Sequence, residues 1–236
     1  MFEGLEGAAT AVAALAESLR RRLYLYIRAA EHPVSREEAA AHVGISRKLA
    51  AFHLDRLVEA GLLVAGPARP TPGQRRPRGR APKAYQPSRL EADVSIPERR
   101  YKLAGELLVD AIRGCRRDES PSDAALRVAR TRGIELGRSA RSAARKARRA
   151  DVAGLAMDLL EGHGFEPLRI GDGSVILRSC PFDALAQGSR NLVCGMNQAL
   201  LGGVLSGLRD RASEATLDPG PGRCCVRIQK KAGTAR

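Results

Sequence analysis

Five cysteines are the residues of this chain best suited to chemistry: Cys115, Cys180, Cys194, Cys224 and Cys225. Thirteen residues separate Cys180 from Cys194, 29 separate Cys194 from Cys224, and Cys225 is adjacent. An odd count in a long chain does not suit a disulfide scaffold, and the absence of Cys-x-x-Cys disfavours a zinc ribbon or finger. Three thiols converging from a hairpin end, a helix start and a terminal strand would build one site. Thiolate ligands suit zinc, cuprous copper or an iron–sulfur cluster. Free cysteine is also among the most buried residue types, so core packing is the competing explanation. Cys115 lies in a separate helical stretch and reads as structural. No acid–base pair accompanies a cysteine at suggestive spacing, so the chain is not read as an enzyme.

A second constellation is basic. Forty Lys and Arg against 26 Asp and Glu give a net charge of +14, which suggests a polyanionic partner. A general bias toward Arg is the alternative source of that surplus, so position must decide. Ser46, Arg47 and Lys48 open a helix whose polar start would face base edges in a major groove. Arg56, Arg80 and Lys83 would position the phosphate backbone. Aromatic residues are only 3%, with no Trp, which argues against reading single strands by stacking.

These residues need elements to carry them. Val12, Leu15, Leu19, Leu23 and Ile27 recur at three- and four-residue steps, predicting one amphipathic helix over residues 10–30. Ser35 and Glu38 form a capping-box spacing that opens a second helix, stopped at Gly44. Ser46 caps a third, with Leu49, Ala50, Leu54, Leu57 and Val58 expected on its apolar face. Gly61 closes it, and Leu62-Leu63-Val64 starts a strand. Residues 66–89 hold six prolines and seven Arg or Lys with no acidic residue, and Lys83-Ala84-Tyr85-Gln86 reads as the returning strand of a hairpin. Helix, turn, helix and basic hairpin together are the layout of a winged helix-turn-helix.

Helices are expected near residues 97–114 and 122–150. From Asp151 the order becomes helix, hairpin, an apolar helix over 189–209 and a final strand, Cys225-Val226-Arg227-Ile228. The expected fold class is α+β: a DNA-binding domain over residues 1–90, a helical linker and dimerisation region over 91–150, and a cysteine-containing sensor domain over 151–236. No run approaches the ~18 apolar residues of a membrane span. The amino terminus carries Glu3 and Glu6 and lacks a signal peptide's basic-then-apolar order. The chain is expected to be cytoplasmic, with no membrane partner.

The stretch Gly44-Ile45-Ser46-Arg47-Lys48-Leu49-Ala50-Ala51-Phe52-His53-Leu54-Asp55-Arg56-Leu57, ending Glu59-Ala60-Gly61-Leu62-Leu63, resembles the recognition-helix signature of ArsR-like bacterial repressors. Gly79-Arg80-Ala81-Pro82-Lys83-Ala84-Tyr85 resembles their wing strand. Ser179-Cys180-Pro181-Phe182, Leu192-Val193-Cys194-Gly195-Met196-Asn197 and Pro219-Gly220-Pro221-Gly222-Arg223-Cys224-Cys225-Val226 resemble the sensor of SufR-like repressors. Together the matches run from about Leu15 to Ile228. The resemblance implies a homodimeric repressor of double-stranded operator DNA, governed by an iron–sulfur cluster of the 4Fe-4S type. It gives Cys180, Cys194 and one of the vicinal pair as ligands. It also puts His53 at the DNA surface, where helix packing is the other role for that residue. Alternation along a strand points neighbouring side chains to opposite faces and leaves the third ligand ambiguous; Cys224 is taken, with Cys225 as its alternative. A fourth ligand is not visible as a cysteine; His163 and Asp183 are the candidates. The competing reading keeps the DNA-binding domain and gives the sensor a small apolar effector or another metal, with the cysteines merely buried.

Overall fold

The computed structural model describes residues 5–67, 82–91, 94–146 and 151–231. The fold mixes helices with two small antiparallel sheets. The chain divides into two compact units, residues 1–94 and 95–236.

In the first unit the helix expected over residues 10–30 is two: α1 (Leu5–Ala16) and α2 (Ser18–Ala29). Glu17 breaks it. Its backbone is extended, and its carboxylate accepts the amides of Leu19 and Arg20 at 2.9 and 2.8 Å, so it caps the second helix. Arg20 Nε donates to the Ala14 carbonyl at 2.6 Å, satisfying an orphan acceptor at the end of the first. The apolar period therefore runs across a break it does not report, and Val12 is exposed while Ala11 takes the core position.

Next come β1 (Val34–Ser35), α3 (Arg36–Val43) and α4 (Arg47–Glu59). The capping box is present: Ser35 Oγ accepts the Glu38 amide at 3.1 Å and the Glu38 carboxylate accepts the Ser35 amide at 3.4 Å. Gly44 turns the chain in the left-handed region, φ 74°, where a side chain is strained. Ser46 Oγ accepts the Leu49 amide at 3.2 Å, so the second cap is as expected. Leu49 itself is exposed; Ala50, His53, Leu54 and Leu57 form the buried face. The strands β2 (Leu63–Pro67) and β3 (Lys83–Pro87) pair antiparallel, with β1 on the other edge of β3. Tyr85, fully buried, lies opposite both Val34 and Ala65. It packs in one core with Leu23, Ile27, Leu54, Leu57 and Leu63.

The second unit holds α5 (Tyr101–Arg113), α6 (Pro121–Lys146), α7 (Val152–Glu161), β4 (Pro167–Arg169), β5 (Val175–Leu177), α8 (Asp183–Gly188), α9 (Arg190–Leu208), β6 (Ser213–Leu217) and β7 (Val226–Lys230). Its sheet runs β4-β5-β7-β6, antiparallel throughout. The segments α8 and β6 were not expected from the sequence. The helices expected between the two domains, α5 and α6, share one core with the elements that follow residue 151: Leu107 and Ala125 pack with Phe165, Leu177, Leu200 and Val226. Glycines bring α6 and α9 into backbone contact, with Gly133 and Gly137 facing Gly203 and Gly207.

Between α5 and α6, Glu119 accepts Arg127 Nε and Nη2, each at 2.7 Å. Arg127 first, then the Arg116 amide, hold the Glu119 carboxyl down to about 2 from an ordinary 4.5. A depressed acid stabilises the fold above its unfolded value, and that stabilisation is lost as pH falls through the folded value. Wild type is therefore expected to melt higher than Glu119→Gln above pH 4.5, with the two melting temperatures converging as pH approaches 2. Calorimetry of both proteins across that range checks it; a pH-independent difference would refute the pairing as its source.

Candidate functional site

All five cysteines lie in the second unit, and four of them line one cleft. Cys180 sits in the loop after β5, and two arginines grip that loop. Arg99 Nη1 donates to the Cys180 carbonyl at 2.6 Å, and the Arg100 amide donates to the Pro181 carbonyl at 3.0 Å. Cys194 stands on the buried face of α9, near its start. Cys224 and Cys225 end the Pro-Gly-Pro-Gly connection between β6 and β7. The Cys224 amide donates to the Leu177 carbonyl and the Asp218 amide to the Cys225 carbonyl, both at 2.8 Å. The strand expected to begin at Cys225 begins at Val226, and the chain bends at Cys225 instead.

The four cysteines line one cleft of about 310 Å³ together with Asp183, Arg190 and Arg223. Cys194 and Cys224 are buried, while Cys180 and Cys225 are half-buried. The thiols neighbour one another in the order Cys180, Cys224, Cys225, Cys194. Hydrogen bonding from Cys224 lowers Cys180 and brings Cys225 down to about 6, where the Cys194 thiol and the Arg190 charge add to it. The Cys180 and Cys225 contacts push Cys224 up, and burial pushes Cys194 up to about 12. Cys225, half-buried and lowered to about 6, is thus the cysteine with most thiolate character, the form that binds metals and attacks electrophiles. Among the described residues no three His, Cys, Asp or Glu side chains close on a point to hold a single metal ion. A four-iron cluster differs in taking one thiolate per iron, so its ligands surround a space.

Asn197 is a residue the sequence reading passed over. It is buried on α9, and its Nδ2 donates to Cys224 Sγ at 3.2 Å while its Oδ1 has no partner. The available signal was an amide among the otherwise apolar residues that α9 buries. Arg99 was missed for lack of one, whereas Arg190 stands four residues before Cys194 on one helix, a spacing that puts both on the same face. Of the two non-cysteine candidates, Asp183 lines the cleft. His163 does not; its Nδ1 donates to the Leu159 carbonyl at 2.7 Å. Cys115 is exposed between α5 and α6 and is not among the cleft's lining residues.

In the first unit Ser46, Arg47 and Lys48 are exposed together at the start of α4. Arg47 pairs with Glu37 on α3, and this exposed ion pair contributes ~0–1 kcal/mol, little enough for the guanidinium to be redirected. Arg56 lies over the exposed Phe52 ring and pairs with Glu59 at 3.1 Å. Lys83 on β3 is exposed, 3.8 Å from Asp55. His53 is corrected from the expected DNA surface to the core. It is 7% exposed, with Nδ1 3.5 Å from Glu17 Oε2, because residues 50, 53, 54 and 57 share the face that packs inward. Arg80 lies outside the described residues.

Comparison of the chain with protein-family models, curated proteins and solved structures gives no match. Among the described residues no helix is long and apolar enough to cross a membrane.

Proposed function

We propose that the chain is a homodimeric winged helix-turn-helix repressor whose affinity for operator DNA is governed by an iron–sulfur cluster of the 4Fe-4S type held by Cys180, Cys194 and Cys224. The observation that carries this reading is the convergence, in one cleft, of cysteines up to 45 positions apart, counting from 180 to 225. Core packing alone gives no reason for them to meet at a cleft rather than disperse through the interior. The donor set fits such a group, being all thiol, with the Arg190 guanidinium beside it to offset an anionic centre. When bound, the cluster supplies a centre whose presence or oxidation state distinguishes two forms of the protein. The chain's own part is to hold the cysteines at three separate elements: the loop gripped by Arg99, the start of α9, and the turn before β7. Binding across those elements favours one arrangement of the unit over others, which is how a sensor shifts a population.

For DNA, the exposed start of α4 would enter the major groove, and the β2–β3 hairpin would lie along the backbone. A chain with one such helix reads a two-fold site as a dimer, with half-sites ~34 Å apart. The α5 surface suits that contact: Val109 and Ile112 are 53% and 75% exposed.

The test is anaerobic purification with iron, sulfide and zinc assayed on one sample, followed by titration against a duplex selected from a random pool, loaded and unloaded. Matching iron and sulfide with a difference in affinity supports the reading; no metal under strict anaerobiosis refutes its sensor half. The double variant Arg47→Ala, Lys48→Ala is expected to lose at least tenfold in affinity, since each good base contact contributes ~1–3 kcal/mol. Unchanged affinity would refute the assignment of α4. A second reading places an apolar effector in the cleft of about 470 Å³ beside α7, floored by Met157, Leu160, Val175 and Ile228. Colourless, metal-free protein that binds the selected duplex at full affinity would favour it.

A further inference from the structure

We infer that Cys225 is the fourth ligand of the same cluster, so that both members of the vicinal pair bind it. The inference rests on the proposed cluster and deepens it. Two neighbouring residues on a strand present side chains to opposite faces, and on that rule only one of the pair could serve. The rule does not apply here. Strand β7 starts at Val226, and the chain bends at Cys225. The bend is fastened on both sides, by the Cys224 amide to Leu177 of β5 and by the Cys225 carbonyl to the Asp218 amide. Its result is that both residues line the cleft.

The two thiols also face different partners. Cys224 neighbours Cys180 across from the β5 loop, whereas Cys225 neighbours Cys194 on α9. Four cysteines from three elements therefore line one cleft, as many thiols as a four-iron cluster takes ligands. Asp183 also lines the cleft, on its half-exposed side, but three of the neighbours a soft metal finds there are already sulfur, and thiolate outcompetes carboxylate for it.

The experiment compares wild type with Cys224→Ser, Cys225→Ser and Cys115→Ser, all purified anaerobically. Iron and sulfide per protomer are measured, as is the rate of iron release to EDTA, with circular dichroism to confirm folding. If both vicinal cysteines ligate, wild type and Cys115→Ser hold four irons and four sulfides, while Cys224→Ser and Cys225→Ser each lose cluster or release iron at least tenfold faster. A Cys225→Ser protein with wild-type content and release rate overturns this inference and leaves the three-cysteine site standing. A wild-type protein without iron and sulfide overturns the cluster itself. Should Cys225→Ser misfold, Cys225→Ala, which removes the ligand without adding a buried hydroxyl, is read the same way.

Discussion

On the proposed function, Cys180→Ser and Cys194→Ser are each expected to yield a folded, dimeric, colourless protein whose affinity for operator DNA no longer changes with iron loading. Both side chains lie in the cleft, but they stand on separately supported elements, so loss of one thiol removes a ligand and leaves the scaffold. The Cys180 loop stays anchored by Arg99 and Arg100 through main-chain carbonyls, which serine leaves in place. Cys194 is 7% exposed, and burying a hydroxyl there costs ~1–3 kcal/mol, less than the ~5–15 kcal/mol of a typical domain. Serine is a poor ligand for a soft iron centre, so iron and sulfide should fall to near zero. Wild type should show at least a tenfold difference in affinity between loaded and unloaded forms, about 1.4 kcal/mol of coupling, and the variants none. Iron assay, circular dichroism and DNA titration on the same preparations check all three statements. Wild-type iron content in both variants would remove these cysteines from the site.

Much of the first unit was legible in the sequence because its signals are local. The Ser35–Glu38 box, the Ser46 cap and the Gly44 turn each declare themselves within four residues, and each is present. What escaped was set by longer reach. The break at Glu17 depends on a carboxylate folding back on two amides and on Arg20 reaching Ala14, neither visible in an apolar period that continues undisturbed. His53 could be assigned to either face of α4 from its type; position on the 50–54–57 stripe decides for the core. For the cysteines, spacing left the third ligand ambiguous because a strand was assumed at Cys225. The bend that brings both residues to one cleft arises from bonds to Leu177 and Asp218, residues 47 and 7 positions away. Strands β1 and β6 were missed for related reasons: one is two residues long, and the other, Ser213–Leu217, begins with polar residues that pair along the edge of a sheet. The four-residue spacing of glycines in both α6 and α9 was readable as a close helix crossing, yet it shows its meaning only when the two helices are seen together.

Gly133→Ala and Gly207→Ala are expected to destabilise the second unit by ~2–3 kcal/mol each, the upper end of what inserting a methyl into a packed interior costs. A Cβ built at Gly133 would stand 2.0 Å from the Leu200 carbonyl oxygen, and one at Gly207 would stand 2.3 Å from that of Ile134. Gly137 and Gly203 are as tight, at 2.3 and 2.2 Å from the carbonyls of Val204 and Arg130. In each case the obstacle is main chain within a helix, which no rotamer change can move aside. The contacts advance by four residues on both helices together, so α6 and α9 run in the same direction with their backbones touching over a full turn. Intrinsic propensity works the other way, because alanine is favoured over glycine in a helix interior by ~1 kcal/mol. Gly105 separates the two effects. It is exposed on α5 with nothing within 4 Å of its would-be Cβ, so Gly105→Ala should raise stability by up to ~1 kcal/mol. Urea denaturation of the three variants should thus give opposite signs for the same chemical change. A Gly133→Ala protein as stable as wild type would mean that the helices separate freely, and the consequence would reach the cleft. Cys194 rides on α9, and its place beside Cys225 is set by where α6 lets that helix lie.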